Sequence, residues 1–138
     1  MMTATAIALW VVRITGVMQV VLGAMLWMGK AVHLLPAHMV IGMTFVIGVW
    51  VLAGLAARAG LRWRHALPAV GWGFVVPGFG MLQLRLVPGP AHWVVEVVHL
   101  LIGIVAMGVA MRLGRFIRRS DRAGGRRGAV AGGVASGD

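Results

Sequence analysis

The amino-acid sequence contains four long apolar stretches that are separated by connections of only a few residues. They cover residues 4–28, 34–57, 66–87 and 91–113. A helix needs about 20 apolar residues to cross the hydrocarbon core of a bilayer, and each stretch reaches that length. Short connections place consecutive helices antiparallel. The sequence therefore predicts an all-α integral membrane protein, an up-down bundle of four transmembrane helices within residues 1–119.

Composition agrees with a chain that faces lipid. Of the 138 residues, 60% are hydrophobic and only 12% are charged. Soluble domains have about 45–50% apolar and about 25% charged residues. The chain contains no cysteine, which excludes disulfides, iron–sulfur clusters and thiolate metal sites. No glycine-rich phosphate loop, nucleotide fingerprint or Ser-His-Asp set is present, so the sequence assigns no catalytic residues.

The positive charge predicts the orientation of the bundle. The net charge is +10, and much of it lies in two places. The second connection carries Arg58, Arg62 and Arg64, and the last part of the chain carries seven more arginines, whereas the other connections contribute only Lys30 and Arg85. Basic loops stay in the cytoplasm. Both termini are therefore predicted to be cytoplasmic, and the charge indicates membrane topology, with no nucleic-acid partner.

The two ends of the chain carry separate predictions. The first stretch has no basic residue before its apolar run and no small-residue cleavage site, so we expect it to be retained. Residues 120–138 are rich in Gly, Ala and Arg without a long apolar run, which predicts a disordered cytoplasmic tail. Contact of this tail with anionic lipid headgroups is the alternative.

Histidines gather in the half of the bundle that is predicted to face outward. On a helix, His92, Glu96 and His99 fall within about 60° of one another. The second stretch brings His38 into the membrane from the same side, with His33 just before it. Polar residues inside a membrane are costly, so such a group indicates a functional site.

The spacing of histidine and glycine favours a haem site. Gly42 follows His38 by one helical turn, and Gly103 follows His99 in the same way. Glycine leaves a flat space beside the helix, and neutral imidazole is a common axial ligand of haem iron. We therefore predict haem b between His38 and His99, with His92 as the substitute for either. By helical rise, His99 lies about 7 Å deeper in the membrane than His38. His92 would lie closer to the depth of His38.

Other metals and a structural role remain alternatives. Glu96 and His99 form one half of a di-iron motif, but the chain offers no second half. Calcium and magnesium require several oxygen ligands. Copper is the remaining alternative, because the chain has ten methionines and Met39 and Met43 lie near His38. The histidines could equally serve only as hydrogen-bond partners between helices.

A polar network is also predicted inside the membrane. Arg13 lies about 13 Å into the first stretch, and Glu96 is the only intramembrane acid that could pair with it. Gln19 and Gln83 could complete the network. The sequence leaves open whether this network is an ion pair that holds the bundle together or takes part in proton or quinone chemistry.

The third stretch is unusually rich in glycine. It contains Gly71, Gly73, Gly78 and Gly80. These glycines permit close packing of helices, or they make room for a flat ligand.

Two segments carry a resemblance to known families. PAHMVIG in the second stretch and HLLIG in the fourth resemble small bacterial four-helix b-type cytochromes, including the cytochrome b561-like group, and the haem A synthase family. This resemblance implies bis-histidine haem in a bacterial inner membrane and electron transfer with a quinone or a periplasmic partner.

Other functions stay open beside that resemblance. RITG in the first stretch is similar to the start of the DoxX family, four-helix membrane proteins, and this likeness implies no haem. The alternatives are a non-catalytic structural subunit of a larger membrane complex, and a membrane protein that handles copper or a small solute.

Overall fold

The computed structural model describes residues 2–29 and 31–135, and their side chains except at residues 2, 84 and 126–135. Four α-helices and two short 3-10 helices form this part of the chain, which contains no strand. The prediction of an all-α chain is confirmed. The helices are α1 (Met2–Trp27), α2 (Leu35–Arg58), α3 (Trp63–Leu82) and α4 (His92–Ala135), with 3-10 turns at Val32–Leu34 and Gln83–Arg85.

The helices pack as an up-down bundle in which α2 and α4 meet across the centre. Helices α1 and α3 each pack against both α2 and α4, whereas α1 and α3 do not contact each other within the described residues. Gly48 lies beside Val12 and Gly23 lies beside His38, so α1 and α2 run antiparallel. A side chain on α2 and one on α4 can therefore face each other in the middle of the bundle.

The two ends of the bundle differ in chemistry. At one end, the Ser120 hydroxyl donates a 3.4 Å hydrogen bond to the Ala59 carbonyl. The rings of His65 and Phe116 lie 4.9 Å apart at the same end. The arginine-rich α2–α3 connection therefore lies beside the later part of α4, and we call this the basic end. The opposite end, which carries His38 and His99, is called the histidine end.

Much of the apolar surface points outward. Trp10, Phe74 and Leu101 are all more than half exposed. In each helix, at most 39% of the most apolar 18-residue window is buried inside the bundle. By length and composition, all four helices could cross a membrane. An apolar outer surface of this extent is typical of helices that face lipid.

Helix α2 ends in a motif that requires glycine. Gly60 has a φ of +69°. Its amide donates to the Ala57 carbonyl at 3.0 Å, and the Leu61 amide donates to the Ala56 carbonyl at 3.1 Å. These two bonds form a Schellman motif, which satisfies carbonyls that the end of the helix leaves free. The turn reverses the chain and places the arginines of the connection at the basic end.

Helices α3 and α4 differ most from the predicted spans. Helix α3 begins earlier, at Trp63, and ends at Leu82 in a 3-10 turn, before the Pro-Gly-Pro connection that cannot continue a helix. Helix α4 continues to Ala135, so residues 120–135 are helical here where the sequence predicts disorder. Arginine and alanine favour helix, and Ser120 holds α4 against the α2–α3 connection. Residues 136–138 of the predicted tail lie outside the described residues.

Candidate cofactor site

His38 on α2 and His99 on α4 face each other at the histidine end. Their ring centres lie 6.5 Å apart, with the ring planes tilted by 54°. The predicted difference in depth between them is wrong. The 3-10 turn extends the second span to Val32, so His38 lies six residues into its span and His99 lies seven residues into the span that starts at His92. The two histidines are therefore nearly level.

His92 is not part of this pair. Its Nδ1 donates a 3.2 Å hydrogen bond to the Leu86 carbonyl in the α3–α4 connection, and the ring does not line the cavity between His38 and His99. His92 is the first residue of α4. The structure therefore gives His92 a role at the start of the helix, whereas the prediction made it a substitute ligand.

Small and aromatic neighbours fix the two imidazole rings. Phe79 on α3 stacks on His99, with ring centres 5.9 Å apart and planes 9° from parallel. A Cβ added at Gly80 would lie 3.1 Å from His99 Cε1, and one added at Gly23 would lie 3.7 Å from His38 Cε1. Glycine on α3 and on α1 thus gives each ring the space to enter the bundle.

Both imidazoles contain a nitrogen that has no partner. Nδ1 of His38 and Nδ1 of His99 are closed off from solvent and make no hydrogen bond, and the same is true of Gln19 Oε1. An unpaired polar atom in a protein interior costs about 1–3 kcal/mol. Such a group in a native fold indicates an additional ligand, ion or water.

A cavity of about 220 Å³ adjoins the histidine pair. On α1 it extends from Gly16 to Trp27, about 16 Å along the helix axis. Its wall is mostly apolar. The polar residues that line it are Gln19, His38, Gln83, Glu96 and His99. The cavity is therefore a long apolar cleft with its polar groups near the histidine end.

The two glycines of the His-xxx-Gly pattern lie in different surroundings. Gly103 lines the cavity, and a Cβ at this position would meet nothing within 4 Å. A Cβ at Gly42 would overlap the side-chain amide of Gln19. Open space lies beside Gly103, whereas the space predicted beside Gly42 is filled by Gln19.

Arg13 does not join the predicted polar network. Its Nε donates to Met111 Sδ at 3.3 Å, and its guanidinium carbon lies 5.6 Å from the centre of the Trp10 ring. Glu96 lines the cavity at the histidine end, whereas Met111 lies towards the basic end of the same helix. The predicted pairing of Arg13 with Glu96 is therefore wrong, because the residues sit at different levels. Gln19, Gln83 and Glu96 do line one cavity.

The contacts of Phe79 and Gly80 with His99 were not predicted from the sequence. The available signal was the spacing of Gly73 and Gly80. Seven residues is about two helical turns, so both glycines lie on one face of α3. In the structure, Gly73 makes room for Trp50 and Gly80 for His99.

The donor set limits which metal the site could hold. Within the described residues, no group of three or more His, Cys, Asp and Glu side chains is arranged to hold a metal ion. Met39 and Met43, the reason for considering copper, are 61% and 48% exposed and do not line the cavity. Within the described residues, the site therefore offers one close pair of imidazoles, His38 and His99.

Comparison of the chain with protein-family models, curated proteins and solved structures finds no significant match. The resemblances to b-type cytochromes and to the DoxX family therefore stay predictions.

Proposed function

We propose that the chain is a membrane-spanning b-type haem protein that carries electrons, with His38 and His99 as the two axial ligands. One observation carries this proposal, the 6.5 Å distance between their ring centres. Two imidazoles that bind one metal ion from opposite sides, each nitrogen about 2 Å away, have ring centres roughly 6–6.5 Å apart. The observed distance of 6.5 Å lies at the upper end of this range.

The number of protein donors favours haem over a bare metal ion. Zinc sites use three or four protein ligands, and the described residues supply no such cluster. A porphyrin supplies four nitrogens itself and needs only two ligands from the protein. Bound between two imidazoles, haem iron supplies one-electron oxidation and reduction.

The residues around the pair provide a lining that suits such a cofactor. The wall is mostly apolar, and Gly103 leaves open space one turn after His99. The cavity volume of about 220 Å³ is below the range of about 300–1,000 Å³ that is usual for ligand pockets. A porphyrin is larger than this cavity, so binding it requires the helices around the cavity to move apart. The α1 wall combines the small residues Gly16, Gly23 and Ala24 with larger side chains, which are Gln19, Val20, Leu26 and Trp27.

A smaller ligand in the same cavity is the second candidate. The volume and the unpaired Gln19 Oε1 favour a small apolar molecule that carries a hydrogen-bond donor. A reduced quinone headgroup has these properties. A quinone is also an expected electron-transfer partner of the proposed haem protein. A protein of this second kind would be colourless and would bind the headgroup without iron.

We also propose that the bundle lies in a bacterial inner membrane with both termini in the cytoplasm. The chain has no cysteine, so single substitutions give a clean test with a membrane-impermeant maleimide. Ala91→Cys, in the α3–α4 connection, is expected to react in intact spheroplasts. Trp63→Cys, at the basic end, is expected to react only after the membrane is permeabilised. The reverse pattern would invert the proposed orientation, and neither variant changes the charge on which the orientation rests.

Gly80→Val tests whether the placement of His99 matters for haem. Valine at this position pushes against the His99 ring, because even its Cβ lies 3.1 Å from Cε1. We expect haem affinity to fall about 10–100-fold, as when an outer-shell partner of a metal ligand is lost. The measurement is a haem titration of the purified apoprotein, with bound haem quantified as the pyridine haemochrome.

Gly78→Val is the matched control on the same helix. A Cβ at Gly78 meets nothing within 4 Å, so this variant should bind haem like the wild type. Equal haem affinity in both variants would argue against a site that includes His99.

A further inference from the structure

A second cavity lies between α2 and α3, separate from the histidine pair. It is a wide-open groove of about 370 Å³ with only apolar residues in its wall. Trp50 and Phe74 form one end, and Ala57 and Ala66 form the other. Ala57 lies one residue before the end of α2 and Ala66 in the first turn of α3, so the groove opens towards the basic end.

Aromatic residues close the inner end of the groove. The Trp50 indole N–H donates a 3.4 Å hydrogen bond to the Val70 carbonyl, which ties α2 to α3. Its ring lies 4.9 Å from that of Phe74. Gly73 makes room for the indole, since a Cβ there would overlap it. This end of the groove is therefore closed by an aromatic pair whose indole is hydrogen-bonded to α3.

Three arginines stand at the basic end of the groove. Arg58 follows Ala57 directly, Arg62 immediately precedes α3, and Arg64 lies in the first turn of α3. All three side chains are exposed, and within the described residues none has a carboxylate partner at ion-pair distance. Unpaired cations next to an apolar groove match the two parts of a phospholipid, a charged headgroup and an acyl chain.

We propose that this groove binds an anionic phospholipid, with an acyl chain between α2 and α3 and the phosphate held by Arg58, Arg62 and Arg64. Trp50 precedes Arg58 by eight residues, about 12 Å along the helix, so the groove has the length to hold much of one chain. A second copy of the protein is a poorer occupant. Two copies in one membrane share an orientation, which brings their arginines to the same level and opposes association.

The test is lipid binding by the full chain purified in mild detergent. Phosphatidylglycerol and phosphatidylcholine with the same acyl chains are added in equal amounts, and bound lipid is counted by native mass spectrometry. We expect the wild type to bind phosphatidylglycerol in preference. The triple variant Arg58→Gln, Arg62→Gln, Arg64→Gln should lose this preference. The ratio of bound phosphatidylglycerol to bound phosphatidylcholine should fall about fivefold for each arginine that contacts the headgroup.

Gly54→Leu tests the apolar part of the groove. Gly54 lines it, and a Cβ there meets nothing within 4 Å, so leucine fills the groove without a clash inside the bundle. This variant should bind less of both lipids. Gly108→Leu, which adds the same side chain at an open position of α4 outside the groove, should bind lipid like the wild type.

Three results would overturn the proposal. They are equal binding of the two lipids by the wild type, unchanged lipid binding by Gly54→Leu, and a dimer of the wild type that Gly54→Leu converts to a monomer. The last result would identify the groove as a contact between copies. None of these measurements depends on haem, so this proposal and the haem proposal can fail separately.

Discussion

The variants His38→Ala and His99→Ala, purified from cells supplied with haem, are expected to lack the Soret band of the wild-type protein. Each substitution removes one of two imidazoles whose ring centres lie 6.5 Å apart. Haem content per chain should fall by more than about tenfold, because even loss of an outer-shell partner weakens metal binding about 10–100-fold. Absorbance at the Soret maximum relative to protein concentration measures the effect.

Two other histidines provide controls for this experiment. His92 bonds to the Leu86 carbonyl, and His33 is exposed in the 3-10 turn before α2. His92→Ala and His33→Ala should therefore keep their full haem content. Loss of haem in His92→Ala together with its retention in His99→Ala would contradict the assignment of the axial pair. Circular dichroism of every variant checks that the helices are intact.

Gly73→Leu is expected to weaken the contact between α2 and α3. Gly73 is buried, and a Cβ at this position would overlap the Trp50 indole. Leucine would displace Trp50 and break its hydrogen bond to the Val70 carbonyl. Overpacking of this kind typically costs about 1–3 kcal/mol. Thermal unfolding in detergent, followed by circular dichroism, should show a lower midpoint for Gly73→Leu than for the wild type.

The reason for the loss of stability can be checked with two further variants. Gly71→Leu adds the same side chain at an exposed position of α3 where nothing lies within 4 Å, and it should leave the midpoint close to that of the wild type. In a Trp50→Ala background, Gly73→Leu should cost less than in the wild type, since the indole is no longer displaced. An equal cost in both backgrounds would mean that Trp50 is not the residue that requires glycine at position 73.

The helices could be predicted from the sequence because each contains a long apolar run, the pattern that a membrane-spanning helix needs. The ends of the helices were harder to predict. The 3-10 turn Val32–Leu34 adds a polar histidine to the start of the second span, and nothing in the apolar pattern marks it. Helix α4 extends past the apolar run because Ser120 is held against the Ala59 carbonyl, a contact between residues distant in sequence.

The candidate site could be predicted only in part. The His-xxx-Gly spacing singled out His38 and His99 as candidate ligands. It put them at different depths in the membrane because the second span was predicted to begin at residue 34, whereas the structure begins it at Val32. Pairing Arg13 with Glu96 followed from charge alone, and the structure gives Arg13 a thioether and an indole as partners. Contacts across helices, such as Phe79 on His99, depend on the rotation of each helix about its axis, which the apolar pattern of a single sequence does not fix.

The most direct test of the proposed function is the visible spectrum of the wild-type protein, oxidised and then reduced with dithionite, after purification from haem-replete cells. We predict a sharp Soret band, a reduced alpha band of b-type haem, and about one haem per chain in the pyridine haemochrome assay, in line with one pair of axial imidazoles. A colourless protein that unfolds cooperatively and does not take up added haem would contradict the proposal, and the cavity would then be studied as the site of a small apolar ligand.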